Sequence, residues 1–327
     1  MVPNDYPENA ALKECDLMKI AVIGSGISGM TAAYYLSENH EVTLFEAGDR
    51  LGGHTATIDV EEGEKTIPVD TGFIVFNDWT YPNFIELLDE LGVDSQPTQM
   101  SFSVSDKQSG IEYAGTNLNT LFGRRKNLFS IKHLKMLKEI VTFNKQVEGH
   151  LAQMQDDNQL TLGQYLETYT YSEAFKNLYI VPMGSAIWSA KQSDMLKMPL
   201  SFFVKFFRNH GLLNLKERPQ WRVIKGGSSA YIEPLIAPYK DRIRLNTAVY
   251  EVDRNITGSY VTLKTKEGEE AFDHVIFSCH SNQALACLND VNKLEKEILQ
   301  SIPYSNNEVV LHTDKGVLPK TKRCWSS

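Results

Sequence analysis

The feature that most constrains this chain is a glycine-rich turn set between a strand pattern and a helix pattern. Lys19 to Ile23 is a short apolar run rich in β-branched residues, Gly24-Ser25-Gly26-Ile27-Ser28-Gly29 follows it, and a helical stretch runs from Ser28 to Glu38. His40 to Phe45 gives a second strand that ends at Glu46. Strand, tight turn, helix and strand make one βαβ unit with a parallel pair. Each glycine has a reason: the first permits the bend, the second lets a pyrophosphate approach bare backbone, and the third packs helix on strand. The helix start adds free amides and the positive end of its dipole. Glu46 stands 22 residues after Gly24, where a carboxylate can accept both ribose hydroxyls and disfavours a 2′-phosphate. A ligand-free glycine turn is the alternative, and the common register of strand, helix and acid favours dinucleotide binding.

The residues after the acid separate the cofactor classes. Glu46-Ala47-Gly48-Asp49-Arg50-Leu51-Gly52-Gly53 places an arginine and a glycine pair directly behind the second strand. An arginine can neutralise a pyrophosphate, and glycines let the backbone run alongside a cofactor. E-x-x-x-R-x-G-G after GxGxxG resembles the flavoprotein family of amine oxidases, protoporphyrinogen oxidases and phytoene desaturases. The resemblance implies FAD as cofactor, held by the Gly24–Gly29 turn, with Glu46 at its ribose, Arg50, Gly52 and Gly53 along it, and Ala47 among the cofactor-binding residues. Asp70-Thr71-Gly72-Phe73 resembles the family's next flavin-side segment, which adds Thr71, Gly72 and Phe73. Asn246-Thr247-Ala248-Val249, with Val252 and Asp273–Ile276, resembles the segment whose valine backbone reads the adenine, which adds Val249. VDTGFIVFN, TYPNFIELLDELGV, VPMGSAIWS, NHGLL, RPQWRVIKGG and NEVVLHTD are similar to a bacterial branch of amine-oxidase-domain proteins. The flavoprotein domain fused to plant cyclopropane fatty acid synthases is similar to the same branch.

Two departures from the family shape the expectations. Family members close the flavin site with a C-terminal glycine-containing segment, whereas this chain ends at Thr321-Lys322-Arg323-Cys324-Trp325-Ser326-Ser327 and reads as a fragment truncated at its C-terminus. Amine oxidases carry a lysine on the strand matching Asn306–Thr313, where this chain has Asn306 and Asn307. Oxidation of simple amines is therefore not carried over with the resemblance.

The expected fold is α/β: a Rossmann-like FAD-binding domain of parallel sheet plus β-meander, with an inserted, largely helical α+β substrate domain. Residues 1–17 read as a polar tail preceding an alternative start at Met18. Residues 18–99 read as the first part of the FAD-binding domain, 100–218 as the insert and 219–290 as the second part. Residues 291–327 read as an incomplete return into the substrate domain. Ala56–Val60 and Thr66–Val69 predict a hairpin, and the spacing of Phe84, Leu87, Leu88 and Leu91 predicts a helix over Tyr81–Leu91. Helices are predicted over Asn127–Val147, Leu160–Tyr171, Leu200–Phe207 and Asn282–Leu288. A hairpin of Arg242–Val252 with Tyr260–Lys266 is predicted, followed by strands at Phe272–Ser278 and Glu308–His312.

Composition excludes some classes. Lys and Arg number 33 against 41 Asp and Glu, a net charge of −8, which argues against general nucleic-acid binding because phosphate contacts need a basic surface. No stretch approaches the 18 or so uninterrupted apolar residues of a spanning helix. Cys15, Cys279, Cys287 and Cys324 form no CxxC pair, so they read as free thiols of a reducing compartment, and the expected location is cytoplasmic. His274 and His280 lack further ligands at zinc spacing, so no metal site is predicted. His54 reads equally as a flavin-lining residue or a polar turn residue. Phe202-Phe203-Val204-Lys205-Phe206-Phe207 reads as buried core in preference to a tunnel wall or membrane-dipping face. Arg124-Arg125-Lys126 with Lys132, Lys135 and Lys138 reads as a solvated helix face, with peripheral membrane contact as the alternative. The sequence assigns no oligomeric state.

The leading functional expectation is an FAD-dependent oxidoreductase whose flavin accepts a hydride from a hydrophobic small-molecule substrate, a lipid or isoprenoid. A flavin-binding accessory module of a lipid-modifying system and an amine oxidase proper are the alternatives. Arg50-Leu51-Gly52-Gly53 disfavours an NAD-dependent dehydrogenase. No catalytic acid–base pair stands out, as expected where the cofactor supplies the chemistry.

Overall fold

The computed structural model describes residues 16–154, 160–214, 216–254, 260–306 and 308–326. Cys15, most of the expected polar tail and Asn307 lie outside the described residues. Two compact units form, each discontinuous in sequence: Met1–Ile74, Leu87–Asp94 and Ile224–Asn306 make the first, and Val75–Glu86, Ser95–Val223 and Asn307–Ser327 the second.

In the first unit the βαβ pattern is realised as β1 (Lys19–Ile23), α1 (Ile27–Leu36) and β2 (Glu41–Phe45). Four of five residues in each strand are buried, the near-continuous apolar run of a parallel strand covered on both faces. The hairpin follows as β3 (Thr57–Glu62) and β4 (Lys65–Asp70), paired from Thr57↔Asp70 to Glu62↔Lys65. The later strands are β5 (Ile243–Arg244), β6 (Glu251–Asp253), β7 (Val261–Thr265), β8 (Gly268–Phe272) and β9 (His274–Phe277). A four-stranded parallel sheet runs β5-β2-β1-β9, with Ile20↔His274 and Ile23↔Phe277 in register. β6, β7 and β8 form an antiparallel meander. Ala21, Ile23 and Phe45 share one core with Val249, Val252, Leu263 and Phe272, and Phe45 meets Phe272 edge to face at 5.8 Å. On the helix side Met30 and Ala33 are fully buried, and the Tyr239 hydroxyl donates to the Met30 carbonyl at 2.9 Å. This is the expected combination of parallel sheet, meander and helices.

Several elements differ from their predicted bounds. Arg242–Val252 is two short strands, β5 and β6. Asn246 sits at φ 54, and its N–H and that of Thr247 donate to Gly48 and Glu46 carbonyls at 2.8 Å, which takes the intervening segment out of any ladder. Phe272–Ser278 is broken at Asp273, whose carboxylate accepts the Lys19 N–H at 2.7 Å. Helix α2 (Ser281–Cys287) is present as predicted, and α3 (Lys293–Gln300) begins with an Asn292–Glu295 capping box. Glu295 also receives Arg254, which reaches Asp290 as well. These bonds, led by that from Arg254, hold the Glu295 carboxyl down at about 2.

The second unit is built around a helical core containing Tyr113, Phe143, Tyr165, Phe175, Phe203 and Phe207. Its longest helix spans Ile131–Gln153, not Asn127–Val147, because Ser130 is extended and its hydroxyl caps the His133 N–H. Arg125–Phe129 is instead a 3-10 turn. Leu160–Tyr171 shortens to Leu162–Thr168, bounded by a Thr161–Gln164 capping box and by Thr170 at φ 56. The Leu200–Asn209 helix buries Phe203 and Phe207 completely, stacked at 4.1 Å, and leaves Phe202 53% exposed. Most of the phenylalanine cluster is thus core. Glu308–His312 forms no strand, for it has no ladder partner among the described residues. No helix among the described residues is long and apolar enough to cross a membrane.

Candidate cofactor site

The site is assembled at the C-terminal ends of β1 and β2. Gly24 takes φ +106, and a Cβ there would lie 2.6 Å from the Ser278 carbonyl oxygen at the end of β9. Its N–H donates to the Phe45 carbonyl at 2.8 Å, which ties the turn to β2. A Cβ on Gly29 would lie 1.9 Å from the Gly24 carbonyl oxygen, so this glycine lets α1 begin directly against the turn. Gly26 is different: a Cβ there would meet nothing within 4 Å. It is the N-cap of α1, with no side-chain cap and no acid in the first helical turn. Ile27 and Ser28 are exposed beside it. Open backbone, uncapped amides and the positive dipole end suit a bound anion.

Glu46 is fixed by the turn it faces. The Ser25 N–H and hydroxyl both donate to Oε2, at 3.0 and 2.5 Å, and the Gly48 N–H donates to Oε1 at 2.7 Å. Partial burial pushes the carboxyl up, but the hydrogen bonds from Ser25, Gly48 and Ala47 outweigh it and hold it below the ordinary 4.5. The group is therefore an anion at neutral pH, oriented before any ligand arrives. The buried Ser25 hydroxyl is the part that motif reading misses, because its role depends on two segments meeting.

The Arg50–Gly53 loop returns onto the turn. Gly52 bridges Gly26 in parallel fashion, its N–H donates to the Ser25 carbonyl at 3.0 Å, and a Gly53 Cβ would stand 3.1 Å from the Gly26 Cα. Arg50 donates to the Leu51, Thr55 and Gly53 carbonyls at 3.3, 3.0 and 2.9 Å. Its guanidinium thus shapes the loop from within. Thr71-Gly72-Phe73 joins through His54 and Ala56: the Thr71 N–H donates to Ala56, the Phe73 N–H to His54, and a Gly72 Cβ would lie 1.9 Å from the His54 carbonyl oxygen. The His54 ring stacks on His280 at 6.0 Å, and His280 on Tyr304 at 4.4 Å. Val249 is buried against Phe45 and lies outside any strand, with its carbonyl accepting from the Cys287 thiol at 3.2 Å. Gly227 takes φ +97 against Thr57. Asp70 then binds Thr57 at 2.6 Å and the Ser228 N–H at 2.8 Å, pinning the hairpin to that turn.

Removing the Glu46 carboxylate is expected to weaken FAD binding. Two charge-assisted bonds of ~1.5–3 kcal/mol each make Glu46→Ala a roughly 100-fold or greater loss, allowing for incomplete additivity. Fluorescence titration of FAD checks it, and an unchanged dissociation constant removes the ribose role. Because the folded carboxyl titrates below its ordinary value, its contribution to stability is complete above about 4.5 and is lost as pH falls through the lowered value.

Comparison with known proteins gives the family. Residues 27–322 match the family of flavin containing amine oxidoreductases. AofH of Mycobacterium tuberculosis, assigned as a flavin-containing monoamine oxidase, is 24% identical over 94% of this chain and 65% of its own length. The 15-cis-phytoene desaturase of Synechococcus elongatus is 32% identical over 27% of this chain and 18% of its own. Cyclohexylamine oxidase from Brevibacterium oxydans shares the fold, with a TM-score of 0.61 at 20% identity over 86% of this chain and 63% of that structure. The chain therefore spans less than two thirds of the length of the relatives matched along most of it.

Proposed function

The chain belongs to the flavin containing amine oxidoreductase family, whose cofactor is FAD, and we propose that it is the FAD-binding and substrate part of an oxidoreductase acting on a hydrophobic lipid or isoprenoid. The observation that carries the flavin assignment is the open Gly26 position beside an anchored Glu46 carboxylate. The Gly24–Gly29 turn and the α1 amides would hold the pyrophosphate, Glu46 the ribose, and the Gly52–Gly53 and Thr71–Phe73 backbones would run alongside. Bound there, FAD would supply the hydride acceptor for a substrate C–H bond. The protein orients the two partners and excludes water, and no side chain is assigned an acid–base role.

The hydrophobic substrate class is supported by the chain's own chemistry. Asn306 and Asn307 occupy the region where the family's amine oxidases carry lysine. The exposed Phe202 leaves aromatic surface beyond that spent on the core. Apolar area at about 25 cal/mol per Å² favours a long chain over a small polar amine. The similarity to a monoamine oxidase and to the cyclohexylamine oxidase fold favours amine oxidation as the second reading.

Anaerobic titration of the flavin-loaded protein separates them. Bleaching of the flavin by lipid or polyene, with none by short primary amines, is the expected result. The reverse pattern establishes the amine reading. Bound flavin reduced by neither class identifies an accessory module.

A further inference from the structure

The second unit carries one surface whose composition departs from the rest of the chain. Between Leu118 and Lys138 there are six basic residues, Arg124, Arg125, Lys126, Lys132, Lys135 and Lys138, and no Asp or Glu, in a protein of net charge −8. The same stretch exposes five large apolar side chains: Phe129 is 88% exposed, Ile131 83% and Leu118 75%, with Leu128 and Leu134 near half.

Local structure enforces this exposure. The buried Asn127 side chain donates to the Glu112 carbonyl at 2.9 Å, fixing the 3-10 turn with Leu128 and Phe129 outward. Ser130 then starts the Ile131–Gln153 helix, which buries His133, Met136, Phe143 and Val147. At 100° per residue, Ile131, Leu134, Lys135 and Lys138 fall on the opposite face. Arg125 donates to the Asn119 and Phe122 carbonyls at 3.3 and 2.9 Å and folds the Leu118 segment back beside the turn. Arg323 joins them, its Cβ lying 3.5 Å from where a Gly123 Cβ would stand. Among the described residues, Asp106 and Glu139 face the patch: Asp106 accepts from Ser109 and Gln108 and lies near Lys132, and Glu139 accepts from the Ser172 N–H and pairs loosely with Lys135 at 3.9 Å, which leaves the arginines, Lys126 and Lys138 outside these contacts.

We propose that this face docks on an anionic phospholipid surface, with Phe129 and Ile131 entering the head-group layer and the surrounding lysines and arginines on lipid phosphates. Apolar side chains at the tip and basic ones around them are the arrangement of an interfacial anchor. Nucleic acid fits less well, since aliphatic Ile131, Leu128 and Leu118 offer no stacking surface. A symmetric contact with a second copy would set six positive charges against six. The net negative chain is repelled by an anionic surface in other orientations, so binding through this face also orients the molecule. The proposal requires neither the flavin nor the substrate assignment.

The test is co-sedimentation of the whole protein with vesicles of equimolar phosphatidylcholine and phosphatidylglycerol, and with phosphatidylcholine alone. Binding to the anionic vesicles is expected, falling with salt, and much weaker on the neutral ones. Combined Lys132→Glu, Lys135→Glu and Lys138→Glu should lower binding by roughly 100-fold or more. Phe129→Ser and Ile131→Ser should each lower it by roughly tenfold with unchanged circular dichroism. Should Phe129→Ser unfold, the Ile131 and lysine variants decide. No vesicle binding, equal binding by the variants, or equal binding to neutral vesicles overturns the proposal. So does a patch-dependent interaction with nucleic acid or with a second copy in the absence of vesicle binding.

Discussion

Gly26→Val is expected to fold normally and to purify without flavin. Gly26 has φ −65 and ψ 173, extended backbone that any residue adopts, and, its chain neighbours apart, no protein atom lies within 4 Å of where the valine Cβ would stand. Valine is a poorer helix N-cap than glycine, so the fold should lose about 1 kcal/mol. The ligand loses much more, because the branched side chain fills the approach to the uncapped α1 amides. At least a 100-fold drop in FAD affinity is expected, about 2.7 kcal/mol by the affinity relation. The flavin-to-protein absorbance ratio, read beside a thermal melt, measures both. Undiminished flavin in a folded Gly26→Val protein would falsify the placement of the pyrophosphate.

Three residues further on, the opposite outcome is expected. The Cβ of Gly29→Ala would stand 1.9 Å from the Gly24 carbonyl oxygen and 3.0 Å from the Ser278 Cβ. That carbonyl cannot retreat freely, since the Gly24 N–H is held on Phe45 and the Ser278 N–H on Ile23, both at 2.8 Å. Relief requires lifting α1 off the sheet. A destabilisation of about 3 kcal/mol or more follows, at the upper end of overpacking costs. Urea unfolding of the flavin-free protein isolates this effect from ligand binding. An unshifted midpoint would mean that the turn is looser than its contacts indicate.

The contrast between these glycines was legible in the sequence as role, though not as magnitude. The βαβ unit could be read because its signals are local: two apolar runs, a helix between them and an acid in register, all within Lys19–Glu46. The hairpin β3–β4 was equally local. Illegible parts depend on distant chain. Arg242–Val252 has strand composition throughout, yet Asn246 and Thr247 give their N–H groups to Gly48 and Glu46, some 200 residues earlier. Glu308–His312 has a strand's β-branched composition, but composition supplies no partner ladder. The Ser25 hydroxyl on Glu46 and the Arg50 guanidinium on its own loop carbonyls are decided by side-chain geometry that spacing does not encode. The density of apolar residues points to core for the whole Phe202–Phe207 run, which holds for Phe203 and Phe207 and not for Phe202, because density carries no information on which helix face meets the core.

The strand order of the parallel sheet also sets a timetable for synthesis. β1 leaves the ribosome early and finds β2 about 20 residues later, but its other neighbour is β9, with Ile20 opposite His274. At about 5–20 residues per second, roughly 13–50 s of translation separate the two. During that interval one edge of β1 presents unpaired backbone groups of a strongly apolar strand, a template for pairing with other chains. Until β9 is made, the nascent chain depends on shielding from outside itself, and slower translation lengthens that dependence.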